Sequence, residues 1–325
     1  MRNFKRRILF VFIFLSFFSF LCEGKGEGKE LKNISLKEVL SIGGLENDVL
    51  YMWAWVTVDN KGNIYVTDSI DCSIKKFNSK GVLIKKAGGE GQGPGEFLAP
   101  RLIFYRKGML YVTDEKKRGI QVFDEELNYK FHIPINLPIF DFNVLCDGNL
   151  VVSAFPLNKN DYGKLLIYDL KGYLKDRVKY CEGLNPILET AKFEIDKNFN
   201  FYVIFTWQDK IVKINRRSGK KLWSRSLFGK KSIKIKEIGP VKVPVEVIYK
   251  DIAFDNFGNL FILTGSISKN KSRDVYVLDK EGNLLTTFTL PDSSHCIYID
   301  KNNFLYTRAD MGATLKKFLI KYEYR

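Results

Sequence analysis

The chain has 325 residues, of which 45% are hydrophobic and 14% aromatic, and its formal net charge is +15. This aromatic content excludes an intrinsically disordered chain, and the length is enough to bury a large core. The basic residues are scattered in pairs, such as Lys75-Lys76 and Lys220-Lys221. Scattered pairs argue against a nucleic-acid groove and leave anionic glycans or anionic headgroups as candidate partners.

Residues 1–22 form a predicted export signal. The basic flank MRNFKRR precedes ILFVFIFLSFFSFL, which carries no charge. This is the pattern of a secretory signal peptide, and the apolar run is shorter than the ~20 residues of a membrane span. The leader holds four of the positive charges, so its removal leaves +11.

Cys22 ends the apolar run, and residues 23–30 form a polar tether. A Cys at this point resembles the lipidation site of bacterial lipoproteins, and ordinary cleavage near Gly24 is the alternative. In both cases we expect an exported protein, either periplasmic or anchored to a membrane through lipid. Export is a second argument against nucleic acid as a binding partner.

Residues 31–325 repeat one pattern, in which an apolar run, a polar turn and a second apolar run follow each other. The copies begin at Trp55, Arg101, Phe140, Lys192, Asp251 and Cys296. The turn position is held by Gly62, Gly108, Gly148, Phe199, Gly258 and Asn303. Gly and Asn suit a hairpin position with positive φ, whereas Phe does not. We therefore expect a different turn type at Phe199.

A second hairpin follows each of the first five, so the unit is a four-stranded meander. The turn positions are separated by 46, 40, 51, 59 and 45 residues, and such periods predict an all-β fold, a six-bladed β-propeller of antiparallel blades. The sixth unit lacks one strand. The segment LKEVLSIGG, residues 36–44, resembles the outer strand of the first unit. We expect it to complete the last blade, which would leave no unpaired edges.

The stretch GGEGQGPGEFLAP, residues 88–100, joins the predicted outer strand of blade 1 to the inner strand of blade 2. With the YVTD and IQVFD strands that follow, it resembles an NHL repeat. The other copies are looser, and together they cover nearly all of residues 31–325. The resemblance is to exported six-bladed propellers of the NHL and TolB-like kind, and it implies a fold and a location but no single activity. In this family the Asp that ends each YVTD strand, here Asp68 and Asp114, is expected to hold its own turn.

In a four-stranded meander, the links between blades and the loops between strands two and three emerge on one face. Ligands favour the face with long, varied loops. The predicted binding residues on that face are Trp53, Arg101, Phe155, Trp207, Asp209, Lys250, His295 and Arg308. Their aromatic and cationic side chains suit an anionic or glycan-like ligand, or an acidic loop of an envelope protein.

Catalysis is the weaker expectation. The chain has two His, His132 and His295, which are too few for a three-His metal site, and it has no G-x-S-x-G motif. The leading prediction is a monomeric, non-catalytic binding or scaffold propeller without cofactor. The alternative is a lactonase-like hydrolase or amidating-lyase-like enzyme with an axial metal such as Ca²⁺, for which Asp209, Asp251 and Asp310 are the candidate acids. Cys72, Cys146, Cys181 and Cys296 are expected to be mostly buried and unpaired.

Overall fold

The computed structural model describes residues 31–46, 49–50, 55–155, 159–182, 187–229, 234–238, 241–267 and 271–325. Strand β1 (Leu31–Gly43) comes first. Blade 1 contains β2 (Val56–Val58), β3 (Ile64–Asp68), β4 (Ser73–Phe77) and β5 (Leu83–Gly88). Blade 2 contains β6 (Pro100–Arg106), β7 (Met109–Asp114), β8 (Gly119–Asp124) and β9 (Tyr129–Pro134). Blade 3 contains β10 (Ile139–Val144), β11 (Leu150–Ala154), β12 (Lys164–Tyr168) and β13 (Leu174–Lys179).

The second half of the chain follows the same plan. Blade 4 contains β14 (Ala191–Ile195), β15 (Asn200–Phe205), β16 (Ile211–Asn215) and β17 (Lys221–Arg225). Blade 5 contains β20 (Tyr249–Phe254), β21 (Leu260–Thr264), β22 (Asp274–Leu278) and β23 (Leu284–Thr289). Blade 6 contains β24 (Ile297–Ile299), β25 (Phe304–Ala309) and β26 (Thr314–Tyr324) together with β1. An extra hairpin, β18 (Ile235–Ile238) and β19 (Val241–Pro244), lies between blades 4 and 5 and accounts for the longest repeat spacing.

Short turns complete the secondary structure. They include two 3₁₀ turns, Lys159–Asp161 and Asp310–Gly312. Among the described residues no helix combines the length and the hydropathy needed to cross a membrane. The chain is a six-bladed β-propeller with four-stranded antiparallel blades, as predicted.

The turn between the first two strands of a blade depends on an aspartate. In blade 1, Asp59 Oδ1 accepts hydrogen bonds from the backbone N–H groups of Lys61 (2.8 Å) and Asn63 (2.9 Å). Gly62 then adopts a φ of +85°. The Asp side chain satisfies backbone donors that the strand ladder leaves unpaired, which fixes the turn.

The prediction of a different turn at Phe199 was wrong. Asp196 Oδ1 accepts from the N–H groups of Asn198 (2.9 Å) and Asn200 (2.8 Å), as Asp59 does in blade 1. Phe199 has a φ of +60°. The bonds to Asp196 therefore hold a non-glycine residue in the left-handed region.

Asp68 and Asp114 hold loops, as expected from their position. Asp114 accepts from the backbone N–H groups of Leu98 (2.8 Å) and Lys117 (3.1 Å), so one carboxylate ties the incoming link to the loop after β7. Asp68 accepts from the backbone N–H of Ile70 in its own loop at 3.3 Å and from Lys75 Nζ at 2.8 Å, and it is fully buried.

The glycine-rich link crosses from β5 to β6, as predicted. Gly88 has a φ of +107°, and a Cβ there would lie 2.6 Å from the carbonyl oxygen of Cys72. The N–H of Phe97 donates to Gly89 O at 2.8 Å, and the Phe97 side chain is fully buried. Glycine is needed because the link folds tightly against the blade before it crosses to the next one.

The ring closes through β1. This strand pairs with β26 from Leu31 opposite Tyr324 to Gly43 opposite Thr314, so the closing strand is longer than the predicted residues 36–44. Six buried apolar clusters follow the ring, and each joins two neighbouring blades. The cluster between blades 6 and 1 contains Tyr306 and Phe77. Packing between blades therefore continues across the seam.

The propeller has two distinct faces. We call the face with the interblade links and the strand two-to-three loops the loop face, and the face with the short hairpin turns the turn face. On the loop face the N–H of Glu115 donates to Ala99 O at 3.1 Å, and that of Tyr180 donates to Gly163 O at 2.8 Å. These bonds join a link to a loop, which confirms that both emerge together.

The four described cysteines form no disulfide with one another. Cys72, Cys181 and Cys296 are buried, and Cys146 is exposed on the turn face. The expectation that most of these cysteines are buried and outside disulfides is confirmed for the described residues.

Candidate functional site

The inner strands bring polar side chains to the propeller axis. Lys192 of blade 4 places its Nζ 5.7 Å from the ring centroid of Trp55 of blade 1. Blades 1 and 4 stand opposite each other in a ring of six, so this contact crosses the axis. We call the polar residues there the axial cluster: Trp55, Arg101, Asp141, Asn143, Lys192, Glu194 and Asp251.

A buried ion pair lies at the centre of the axial cluster. Lys192 Nζ stands 2.8 Å from Asp251 Oδ1, and Asp251 Oδ2 accepts from the backbone N–H of Ile297 at 2.8 Å. Burial alone would lower the pKa of Lys192, but Asp251 and then Asp141 outweigh it, and the pKa is raised. Lys192 is therefore charged at neutral pH.

Two acids of the cluster have raised pKa values. Burial raises the pKa of Asp141 to about 6 against the opposing effect of Lys192. Burial, and then the negative charge of Asp141, raises the pKa of Glu194 to about 8. At pH 7 Asp141 is therefore mostly ionised, whereas Glu194 is mostly protonated and can donate a hydrogen bond.

Arg101 is held at the loop-face end of the axis. Its guanidinium lies 5.1 Å from the ring centroid of Trp55 and 6.0 Å from that of Phe140. It also pairs with Glu115 and donates from Nη2 to Phe140 O at 3.0 Å. The stacking and the two bonds fix Arg101 in one orientation.

Arg308 is fully buried at the same end, with an exposed fraction of 0%. Burial lowers its pKa to about 10, opposed by Cys296 and Asp68, so it remains charged at neutral pH. Its Nη2 donates to Gly312 O. Within the described part of the chain, its Nε and Nη1 have no acceptor.

Lys250 and His295 lie beside Arg308. Lys250 Nζ donates to Ser294 O at 2.8 Å, and burial lowers its pKa. Burial, and then the charges of Lys250 and Arg308, lowers the pKa of His295. The structure thus brings four predicted residues, Arg101, Lys250, His295 and Arg308, to one end of the axis.

The other predicted residues lie apart from this group. Asp209 accepts from the N–H groups of Leu227 (2.9 Å) and Phe228 (3.0 Å) and from the Tyr249 hydroxyl, so it holds the link after β17. Phe155 follows β11 and is 40% exposed, and Trp207 is half-buried. Trp53 lies outside the described residues, as does Cys22 with the whole of residues 1–30.

Sequence reasoning named Asp251 among the axial acids but missed Asp141, Lys192 and Glu194. Of the other candidate acids, Asp310 accepts from the Thr314 hydroxyl at 2.6 Å and lies in a loop-face turn. The sequence did contain a signal for these axial residues. In an inner strand that is otherwise apolar, polar residues alternate with apolar ones. In KFEI both polar residues are axial: Lys192 and Glu194.

A cavity of about 510 Å³ opens at the turn-face end of the axis. Its walls include Phe104, Val144 and Ile297, and it reaches Asn143 and Glu194 of the axial cluster. This volume is within the range of small-molecule sites. Among the described residues, no group of three or more His, Cys, Asp or Glu side chains is arranged to hold a metal ion.

Comparisons with known proteins agree on the fold. The model of a family described as a 6-bladed beta-propeller matches residues 55–180. No curated protein matches the chain in sequence.

Solved structures are similar to the chain over most of its length. Virginiamycin B lyase from Staphylococcus aureus is 10% identical with a TM-score of 0.56, covering 88% of this chain and 99% of that one. A putative exported protein from Bacteroides fragilis is 12% identical with a TM-score of 0.57, covering 89% and 95%. A protein of unknown function from Bacteroides thetaiotaomicron is 13% identical with a TM-score of 0.57, covering 90% and 73%. At these identities the likeness concerns the fold.

Proposed function

We propose that the protein is a non-catalytic binding propeller of the bacterial cell envelope, which holds an anionic or glycan-like ligand, or an acidic loop of an envelope protein, at the loop-face end of its axis. One observation carries the proposal. Buried N–H donors there have no acceptor among the described residues: Trp55 Nε1, Arg101 Nε, Arg308 Nε and Arg308 Nη1.

Unpaired buried donors are costly. Leaving one without an acceptor costs about 1–3 kcal/mol, and more for a charged group. Native proteins keep few such groups, and those that persist call for an explanation. A carboxylate, sulfate or sugar oxygen could serve as the acceptor, so the cost would be recovered when a ligand binds.

The surrounding charges favour an anion. Lys192 is neutralised by Asp251, whereas within the described part of the chain Lys250 donates to a carbonyl oxygen rather than to a carboxylate. Arg308 contacts a carbonyl rather than a carboxylate. Positive charge in a partly enclosed mouth attracts anionic ligands and raises their rate of association.

The cell-envelope location is part of the proposal. It is supported by the leader pattern of residues 1–22 and by the similar fold of a protein described as exported. Lipidation at Cys22, the tether of residues 23–30 and a monomeric state are part of the same proposal.

The second candidate function is that of a lyase or hydrolase acting at the axis. The observation that favours it is the pair of axial acids, Asp141 and Glu194, whose pKa values of about 6 and about 8 suit proton transfer near neutral pH. One neighbour of the same fold is a lyase, at 10% identity.

Binding of two anionic probes tests the first candidate. The probes are an oligogalacturonate and an aspartate-rich peptide, measured by titration calorimetry at low and physiological salt. We expect Lys250→Met and Arg101→Gln to weaken binding of the preferred probe by about tenfold or more. Lys61→Ala, on the turn face, is the control and should bind like the wild type. Equal affinity in all four proteins, or binding of neither probe, would contradict the proposal.

A further inference from the structure

The cavity at the turn-face end of the axis is separate from the loop-face end of the axis, where Arg101, Lys250 and Arg308 lie. It is lined by apolar residues of inner strands, among them Phe104 of β6, Phe254 of β20 and Ile299 of β24. Cys146 and Lys197, both in hairpin turns, stand at its rim and are exposed to solvent. The cavity is therefore reached from the turn face.

The floor of this cavity is polar. It contains Asn143, Glu194 and Tyr298. Glu194 Oε2 accepts from the Ile195 N–H at 3.2 Å and from Asn143 Nδ2 at 3.4 Å. No donor among the described residues reaches Glu194 Oε1. One oxygen of the carboxyl group is thus held by the protein, and the other is left for a ligand.

The rim of the cavity carries positive charge. Arg106 Nη2 lies 2.7 Å from Cys146 Sγ, and Lys107 Nζ donates to Cys146 O at 2.8 Å. Lys197 is exposed beside them, and Asp196 of the same turn stands 3.9 Å from Lys213 Nζ. A cationic ligand would have to pass these groups.

From this geometry we propose a second binding site, in which the turn-face cavity takes a small uncharged molecule with an apolar body and an amide group. The amide carbonyl accepts from the Glu194 carboxyl group, and the amide N–H donates to Asn143 Oδ1. The apolar body packs against Phe104, Phe199 and Phe254, which line the cavity and are half-buried.

The charges explain the preference for an uncharged ligand. A ligand carboxylate on the floor would lie near Glu194 and Asp141, and its own desolvation would not be offset. A ligand ammonium would pass Arg106 and Lys197 at the rim. An amide carries a donor and an acceptor without charge, which matches a floor that offers both.

Binding should depend on pH through Glu194. The groups around it are Asp141 from β10, Lys192 from β14, Asp251 from β20 and Tyr298 from β24. The pKa of Asp141 is about 6 and that of Tyr298 about 12, while the pKa of Lys192 is raised, so none of these three changes charge between pH 7 and pH 9. Asp251 remains paired with Lys192.

Three matched probes test the site: N-acetyl-phenylalaninamide, N-acetyl-phenylalanine and N,N,N-trimethyl-phenylalaninamide, which are neutral, anionic and permanently cationic versions of one body. Binding to the full chain is measured by saturation-transfer and shift-titration NMR in a Cys146→Ser background, which removes the rim thiol. We expect the neutral probe to bind most tightly, and its affinity to fall about tenfold from pH 7 to pH 9 as Glu194 ionises.

Two variants separate the floor from general effects. Glu194→Gln keeps a donor and an acceptor, so it should bind the neutral probe at pH 7 and lose the fall toward pH 9. Ala253→Leu fills the cavity and should abolish binding. Glu281→Gln, an exposed residue of the hairpin between β22 and β23, is the matched control and should behave like the unsubstituted background.

Tighter binding of a charged probe, no binding of any probe, or an unchanged pH profile in Glu194→Gln would overturn the proposal. The Lys250→Met variant distinguishes the two sites. It should leave the neutral probe unaffected while it weakens the anionic probes of the loop face, so either site can fail without the other.

Discussion

The buried ion pair between Lys192 and Asp251 allows a direct test of how the axial charges contribute to the stability of the propeller. In Asp251→Asn the side chain keeps its shape and can still accept from the Ile297 N–H, but the charge 2.8 Å from Lys192 Nζ is lost. Removing one partner of a buried pair destabilises a protein by about 3–5 kcal/mol, because the other charge stays in a poorly solvating environment. Asp141 also stabilises the Lys192 charge, so we expect about 3 kcal/mol.

Urea denaturation and thermal melting measure this loss. With about 2.1 cal/mol/K of unfolding entropy for each residue of 31–325, about 3 kcal/mol corresponds to a fall in Tm of roughly 5 °C. The double variant Lys192→Met with Asp251→Asn removes both charges, keeps an acceptor for the Ile297 N–H and should recover most of the stability. Glu182→Gln, in the exposed pair with Lys179, is the control and should melt like the wild type. The reasoning is refuted by a wild-type melt for Asp251→Asn, or by a double variant as unstable as the single one.

Three further predictions concern closure, protonation and anchoring. Deletion of residues 31–45 leaves β26 without its outer partner, so thermal melting by circular dichroism should lose cooperativity; an unchanged curve would contradict closure through β1. Between about pH 5 and pH 8 native Glu194 keeps a proton that the unfolded chain has lost, so its contribution makes the free energy of unfolding fall by about 1.4 kcal/mol per pH unit. Urea titrations at three pH values should show a shallower fall for Glu194→Gln, and equal slopes would disprove the assignment. If Cys22 is lipidated, the mature protein should partition into detergent and carry acyl mass, and Cys22→Ser should not; a mature N-terminus at Lys25 would show ordinary secretion.

The fold was predictable because it is determined by local patterns in the sequence. Three sequence signals were sufficient to predict the six blades and the closure of the ring. They are the repeat of four strands, the turn position suited to positive φ, and the additional strand at the start of residues 31–325. Phe199 shows the limit of this reasoning. Its side chain disfavours the left-handed region, but three residues earlier Asp196 supplies the bonds that fix the turn.

The site was less predictable, because topology shows on which face of the propeller a residue lies but not how deeply its side chain is buried. Arg308 was predicted as a binding residue of the loop face, and the structure places it fully buried beside Gly312. Asp209 was predicted as a binding residue of the same face, and in the structure it accepts hydrogen bonds from backbone N–H groups. Lys192 and Glu194 were visible as polar residues in an apolar strand, but their contacts come from blades that are distant in sequence.

The pairing of β1 with β26 determines how the propeller is oriented when it is attached to a surface through either end. Leu31 lies opposite Tyr324, and both strands reach the turn face there, since Tyr322 donates a hydrogen bond to Asp255 of a turn-face hairpin. Both ends of the propeller therefore leave from one point on its circumference and on one side. A tether or a fused label at either end would hold the turn face toward its support and present the loop face outward.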